Sequence, residues 1–404
     1  MAGLYPAALA DWCRSVPLYA GEVVSELQDV LRAIEEGRAR GDRLALATIV
    51  GVQGSTYRRE GARLLVPADG KPVGTISGGC LEGDVRVAAA EVMEEGVPRL
   101  LHFDLTADDE AVWGWGLGCN GVVDVFVEPA EGAMETAEAI RRAVEEQRHL
   151  ATITVIEAEA DSPVKPGGRV LVHPDGATEG SLGNGQLDEA AREEALRALA
   201  DERSGMVELP SGVRVFVESL VPPLRLLVCG AGHDAIPLVR FAGGLGWRVE
   251  VVDDRDAFLK PHRFPGATRF VKTEPIDAAR EAGVDERTYA VVMSHNFLRD
   301  KDYLRSFLGS PVAYIGMLGP IARLERLLAQ LRREGFEPRR EDLSVVHGPA
   351  GLDLGGDGPE EVAWAIVGEI MALRNSRAGG FLRDRKGPIH ERPKSEEAVI
   401  SGTS

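Results

Sequence analysis

Ten consecutive residues, Leu226-Leu227-Val228-Cys229-Gly230-Ala231-Gly232-His233-Asp234-Ala235, constrain this chain more than any other stretch. An apolar run leads into G-x-G-x-x-A. The first glycine permits a tight turn, the second lets a phosphate approach the backbone, and the alanine lets the next helix pack closely on the strand. Asp253 closes the following apolar run, where an acid in such units meets a ribose. Strand, turn, helix, strand and acid in this order define a Rossmann-type unit. From Arg225 onward the alternation continues, with strands expected at Arg248–Asp253, Thr268–Val271, Tyr289–Met293 and Val312–Gly316. Helices are expected at Ala235–Leu245, Asp300–Leu308, Ile321–Glu334 and Pro359–Leu373. Such a pattern makes a doubly wound parallel sheet.

Val221-Pro222-Pro223 interrupts the pattern and marks the best domain boundary. The fold class is therefore α/β: an N-terminal α+β domain over residues 1–220, a Rossmann-like domain over 221–375, and a flexible tail over 376–404 rich in Arg, Gly, Pro and Ser. In the N-terminal domain Val24, Leu27, Val30, Leu31 and Ile34 fall at helical spacing. Leu44–Val50 reads as a strand and Gly51–Thr56 as the loop after it. The strand order is not readable from the pattern, and no internal repeat is read along the chain.

Cysteine occurs four times in 404 residues, which points to a reducing compartment and not to a disulfide framework. Two of the four sit in glycine-rich turns: Cys80 in Gly78-Gly79-Cys80-Leu81-Glu82, and Cys119 in Gly116-Leu117-Gly118-Cys119-Asn120-Gly121. Glycines bring backbone N–H groups close to a ligand, and a following helix start favours a thiolate. Cys13 and Cys229 read as structural. The formal charge of −18 disfavours nucleic acid, whose phosphates it repels. No apolar run is long enough to span a bilayer and no signal segment is read, so a cytoplasmic protein without membrane insertion is expected.

The motifs then fall into one order. Gly54-Ser55-Thr56-Tyr57-Arg58-Arg59-Glu60-Gly61-Ala62 comes first, followed by the Cys80 and Cys119 turns and Gly230-Ala231-Gly232-His233. Ser294-His295-Asn296, Tyr314-Ile315-Gly316-Met317-Leu318-Gly319 and His347-Gly348-Pro349-Ala350-Gly351-Leu352-Asp353 complete it. This set, over about residues 25–375, resembles the XdhC/CoxI family, the xanthine dehydrogenase accessory factors. The resemblance implies a molybdenum-cofactor chaperone. Such a protein binds the molybdopterin cofactor as cargo, protects it during sulfuration and delivers it to a xanthine dehydrogenase or CO dehydrogenase-type apoenzyme. It implies a cysteine desulfurase as a second partner, and a homo-oligomer, such as a dimer, is expected. Tyr57 stands where the family often has proline, Ser77 and Asn120 replace glycines, and Pro320 replaces a serine, which leaves the client enzyme open.

The candidate cofactor-binding residues are Ser55, Arg58, Arg59, Gly78, Gly79, Cys80, Glu82, Cys119, Gly230, Gly232, His233, Asp253, His295 and His347. Cys80 and Cys119 are the candidate metal contacts, since soft thiolates suit molybdenum; small buried apolar residues in tight turns are the alternative. Arg58 and Arg59 are candidates to clamp a phosphate or the pterin edge. Glu82 either orients the cysteine turn or simply favours a helix start. The three histidines lie at strand ends on the edge where open α/β sheets bind ligands. Zinc is disfavoured by the lack of C-x-x-C or H-x-x-x-H spacing. The alternative function is an NAD(P)-dependent oxidoreductase using the Rossmann turn, and a redox scaffold built on the cysteines is a third reading.

Overall fold

A computed structural model describes residues 26–105, 120–159, 162 and 164–386. The chain divides into two units, Val24–Pro223 and a second whose described part begins at Leu224.

The first unit opens with helix Glu26–Arg40 (α1), then strands Leu44–Ser55 (β1), Arg63–Pro67 (β2) and Val73–Gly74 (β3). Helix Glu82–Glu95 (α2), strand Arg99–Asp104 (β4) and strand Asn120–Pro129 (β5) follow, then helix Met134–Glu145 (α3). The order then recurs: strands Leu150–Glu157 (β6), Arg169–Val172 (β7) and Thr178–Gly180 (β8), helix Gly185–Asp201 (α4), and strands Gly205–Leu209 (β9) and Val213–Leu220 (β10). Two antiparallel sheets result, ordered β3-β2-β1-β5-β4 and β8-β7-β6-β10-β9. The expected loop at Gly51–Thr56 is instead mostly strand. β1 bulges between Ile49 and Gly51 and stays paired with β5 as far as Ser55 and Asn120, so a long partner strand overrides the local glycines.

The two sheets are copies of one plan, so the expectation of no internal repeat is wrong. Leu44 and Leu150 open the first strands, Arg63 and Arg169 the second, and Gly74 and Gly180 close the third, each pair 106 residues apart. The correspondence extends to single hydrogen bonds. Gly61 N–H donates to Ile49 O and Ala62 N–H to Arg59 O; Gly167 N–H donates to Val155 O and Gly168 N–H to Lys165 O. Gly74 and Gly180 have φ of 87° and 86°, and a Cβ on either would meet the Arg63 or Arg169 carbonyl at 2.4 or 2.8 Å. Identical residues recur at that offset, among them Thr48 and Thr154, Leu65 and Leu171, Asp69 and Asp175, and Leu81 and Leu187, but a reading confined to helix and strand periods does not compare segments so far apart.

Period-two alternation gives each sheet two buried faces. Ala45, Ala47 and Ile49 pack with Leu81, Val85 and Ala89 of copy one. Ala151, Ile153 and Val155 pack with Leu187, Ala191 and Ala195 of copy two. The other faces meet each other, where Val50 and Phe126 join their counterparts Ile156 and Phe216. Two ion pairs cross this seam reciprocally: Arg63 of copy one with Glu218 of copy two, and Arg169 of copy two with Glu128 of copy one. All four side chains are almost wholly buried, and a small cavity of mixed lining, with Thr48, Thr152 and Thr154 beside apolar Val50, Phe126, Ile156 and Phe216, lies among them. Such reciprocity is that of an isologous two-fold interface within one chain.

The second unit holds six parallel strands: Arg225–Cys229 (β11), Arg248–Asp253 (β12), Arg269–Lys272 (β13), Thr288–Val292 (β14), Tyr314–Met317 (β15) and Val346–His347 (β16). Their order is β13-β12-β11-β14-β15-β16, the doubly wound arrangement. Helices Ala235–Gly244 and Pro359–Arg374 cover one face of the sheet, and helices Phe297–Phe307 and Ile321–Arg333 cover the other. Cys229 lies fully buried among Leu227, Val252 and Leu304. Burial, with Asp253 and Asp300 nearby, pushes its thiol well up, which keeps it inert. Residues 376–386 are exposed apart from Arg385, with one short turn at Leu382–Asp384.

Candidate functional site

In the first unit the loop between β1 and β2 and the turn before α2 are neighbours. The Tyr57 ring lies 3.8 Å from where a Cβ would stand on Gly78. Beside the Tyr57–Arg63 loop opens a cleft of about 430 Å³, whose far wall includes Leu27 and Val30 of α1. Arg58 is half-buried and Arg59 exposed on its lining, with Glu60 beside them. Thr56 Oγ1 donates to Arg58 O at 2.9 Å, which holds the loop. Ser55, at the end of β1, sits opposite Asn120 in the ladder.

Gly78 and Gly79 are exposed, and Gly79 has φ of 113°. Cys80 is a half-buried free thiol packed on the copy-one core. Glu82 faces back into the turn. Its carboxylate accepts from Ser77 N–H at 3.0 Å, from Thr75 Oγ1 at 3.3 Å and from Ser77 Oγ. Burial alone would raise this carboxyl, but those bonds and the helix-start N–H groups outweigh it and hold it below the ordinary 4.5. Asp188 repeats the device in copy two, accepting from Ser181 Oγ at 2.7 Å and Leu182 N–H at 2.6 Å. An acid thus braces the turn in both copies, Glu82 in the first and Asp188 in the second. Cys119 lies outside the described residues.

In the second unit Gly230 has φ of 111°, and a Cβ there would stand 2.6 Å from Ser294 Cα. The first glycine therefore serves the close approach of β11 to the end of β14. Gly232 is more open, its nearest neighbour being the His295 ring at 4.0 Å. His295, with φ of 57°, sets its Nε2 2.8 Å from Asp234 at the start of helix Ala235–Gly244. His233 is exposed. Asp253 is buried. Its oxygens accept from Ala231 N–H at 2.7 Å and from Arg255 through N–H, Nε and Nη2 at 2.8 to 2.9 Å. A carboxylate offers about four acceptor positions, and four donors already fill them. Burial would raise this group, yet the Arg255 guanidinium and the backbone donors pull it below its ordinary range.

His347 ends β16, and its Nδ1 lies 3.0 Å from Glu369 of helix Pro359–Arg374. The same carboxylate accepts from Tyr314 Oη at 2.6 Å and Gly351 N–H at 2.8 Å, and the His347 and Tyr314 rings lie 4.7 Å apart. Burial pushes the Glu369 carboxyl up, but His347, Tyr314 and Gly351 together bring it below 4.5. An ionised Glu369 can only accept, so Nδ1 is the donor in this contact. The three histidines thus have separate settings: His295 with Asp234, His347 with Glu369, His233 exposed.

Sequence reasoning did not single out Asp234, Glu369 or the ion pairs across the seam, because each acts on a partner far away in the chain. Tyr57 it noted only as a departure from proline. Among the described residues no group of three or more His, Cys, Asp and Glu could hold a metal ion, and no helix is long and apolar enough to cross a membrane.

A duplicated α+β unit with a glycine–cysteine turn, followed by a six-stranded Rossmann sheet, defines a two-part architecture that comparison with other proteins identifies. The XdhC Rossmann domain matches residues 226–370, and the XdhC and CoxI family domain matches twice, at 37–104 and 143–210, with the same 106-residue offset. The chain belongs to the XdhC and CoxI family. It is 30% identical over 331 residues to a probable xanthine dehydrogenase subunit of Bacillus subtilis, covering 81% of this chain and 92% of that protein. It is 22% identical over 351 residues to the molybdenum cofactor insertion chaperone PaoD of Escherichia coli, covering 85% of this chain and 88% of that one. A crystal structure of a xanthine dehydrogenase from Bacillus halodurans superposes with a TM-score of 0.69 at 28% identity, covering 86% of this chain and 96% of that one.

Proposed function

We propose that this chain is an accessory factor in the maturation of a xanthine dehydrogenase-type molybdenum hydroxylase. It binds the molybdenum cofactor, shields it while a cysteine desulfurase supplies sulfur, and inserts it into the apoenzyme. The observation that carries this reading is the match to the family over both units, joined to similarity along most of the chain to an insertion chaperone.

The copy-one site suits such cargo. Arg58 and Arg59 on one cleft lining offer guanidinium groups for a phosphate, the Gly78-Gly79 backbone is open to close approach, and the half-buried Cys80 thiol supplies a soft donor. No observation favours the NAD(P)-dependent oxidoreductase. Asp253 has no acceptor left for ribose hydroxyls, and Asp234 puts a carboxylate at the helix start where a diphosphate would sit.

The test is anaerobic incubation of the full chain with molybdenum cofactor, then gel filtration and molybdenum analysis of the protein peak. Co-elution is expected, and a peak free of molybdenum rejects the reading. Cys80→Ala is expected to lower activation of a partner apo-hydroxylase. Full activation by that variant would remove the thiol from the mechanism while leaving cofactor binding to be judged by co-elution.

A further inference from the structure

The duplication allows fold-building residues to be told from residues that one copy alone carries. Shared features include Arg63 and Arg169, Gly74 and Gly180, and the turn braces Glu82 and Asp188. The copies part in the loop between their first and second strands. There Arg58-Arg59 correspond to Val164-Lys165, an equivalence fixed by the matching Ala62-to-Arg59 and Gly168-to-Lys165 hydrogen bonds. Val164 is 3% exposed and belongs to the copy-two core. Arg58, its counterpart, lines the 430 Å³ cleft instead. The copies part again at the turn, where Cys80 corresponds to Gln186.

Arg63, at the edge of the cleft, pairs with Glu218, and the cleft lining carries two further guanidinium side chains, Arg58 and Arg59, with Glu60 as its carboxylate. In a chain of formal charge −18, two arginines lining one concave site concentrate anions locally. Tyr57, 65% exposed, adds a flat aromatic face between the cleft and the Gly78 turn.

We propose that the duplicated unit holds one ligand site per chain, in the copy-one cleft. Arg58 and Arg59 take the phosphate of a planar ligand whose ring system lies against Tyr57. Copy two is kept as scaffold, its equivalent position filled by Val164. The proposal rests on the chaperone reading only for the identity of the ligand.

The full chain is dialysed to equilibrium against molybdenum cofactor under anaerobic conditions, and separately against guanosine 5′-monophosphate, a planar probe bearing one phosphate. Saturation is expected at one molecule per chain. Joint Arg58→Ala and Arg59→Ala substitution should weaken binding about tenfold or more, and Tyr57→Ala should weaken it less. The mirrored substitution Lys165→Ala, opposite Arg59, should leave it within about twofold. Circular dichroism melts confirm that each variant is folded. Arginine-dependent binding of the cofactor, with or without the probe, supports the site. Binding of the probe alone, through the arginines, keeps the site and rejects the molybdenum cofactor as its ligand. Two molecules per chain, equal loss in the mirrored variant, binding indifferent to the arginine pair, or no binding of either molecule overturns it.

Discussion

Gly230 has a φ of 111° and leaves no space for a methyl group beside Ser294. Gly230→Ala should therefore cost about 3 kcal/mol, through both left-handed strain and overpacking, seen as a lower denaturation midpoint. Gly232→Ala, with 4.0 Å of clearance, should cost much less. The residue scale also sets an acid limit. Burial opposes ionisation of Glu369, but three hydrogen bonds reverse the balance and leave its folded pKa below 4.5. A depressed carboxyl stabilises the fold fully above its unfolded value and loses that contribution as pH falls through the folded one. Glu369→Gln should thus destabilise the protein near neutrality by about 1–3 kcal/mol and flatten the loss of stability below about pH 4.5. Melting curves across pH check both, and an unchanged acid slope would remove Glu369 from the account.

At the scale of elements, the seam between the two sheets is held by apolar pairs at its centre and by reciprocal ion pairs beside them. Removing one member of a buried pair strands the other charge, at about 3–5 kcal/mol. Arg63→Ala and Arg169→Ala should therefore cost similar amounts in urea unfolding, because each leaves an equivalent glutamate in the same seam. A large disparity would mean that the copies are not energetically equivalent. The elements were largely legible in sequence where periodicity is strong. Strands Arg225–Cys229 and Arg248–Asp253 and helix Ile321–Arg333 fall within a residue or two of expectation. The far half of β1 was not, since its glycines signal a loop and only pairing with β5 makes it strand.

Across the whole molecule, motif order carried the family, and the family match covers both units. The sequence by itself determined the alternating Rossmann half, the glycine-rich turns and the residue types that stand in them, because these depend on local spacing and on where glycine is needed. Only the tertiary structure decided what those residues do. It spent Asp253 on Ala231 and Arg255, made Glu82 a brace, gave His347 to Glu369, and brought Tyr57 against Gly78. It also gave the duplication its physical content, a set of equivalent hydrogen bonds and a shared strand order, where the sequence carries it as identities and a double family match 106 residues apart. The sheet order joins strands far apart in the chain, which local spacing does not specify, and side-chain identity can drift while the backbone geometry of the turns is kept.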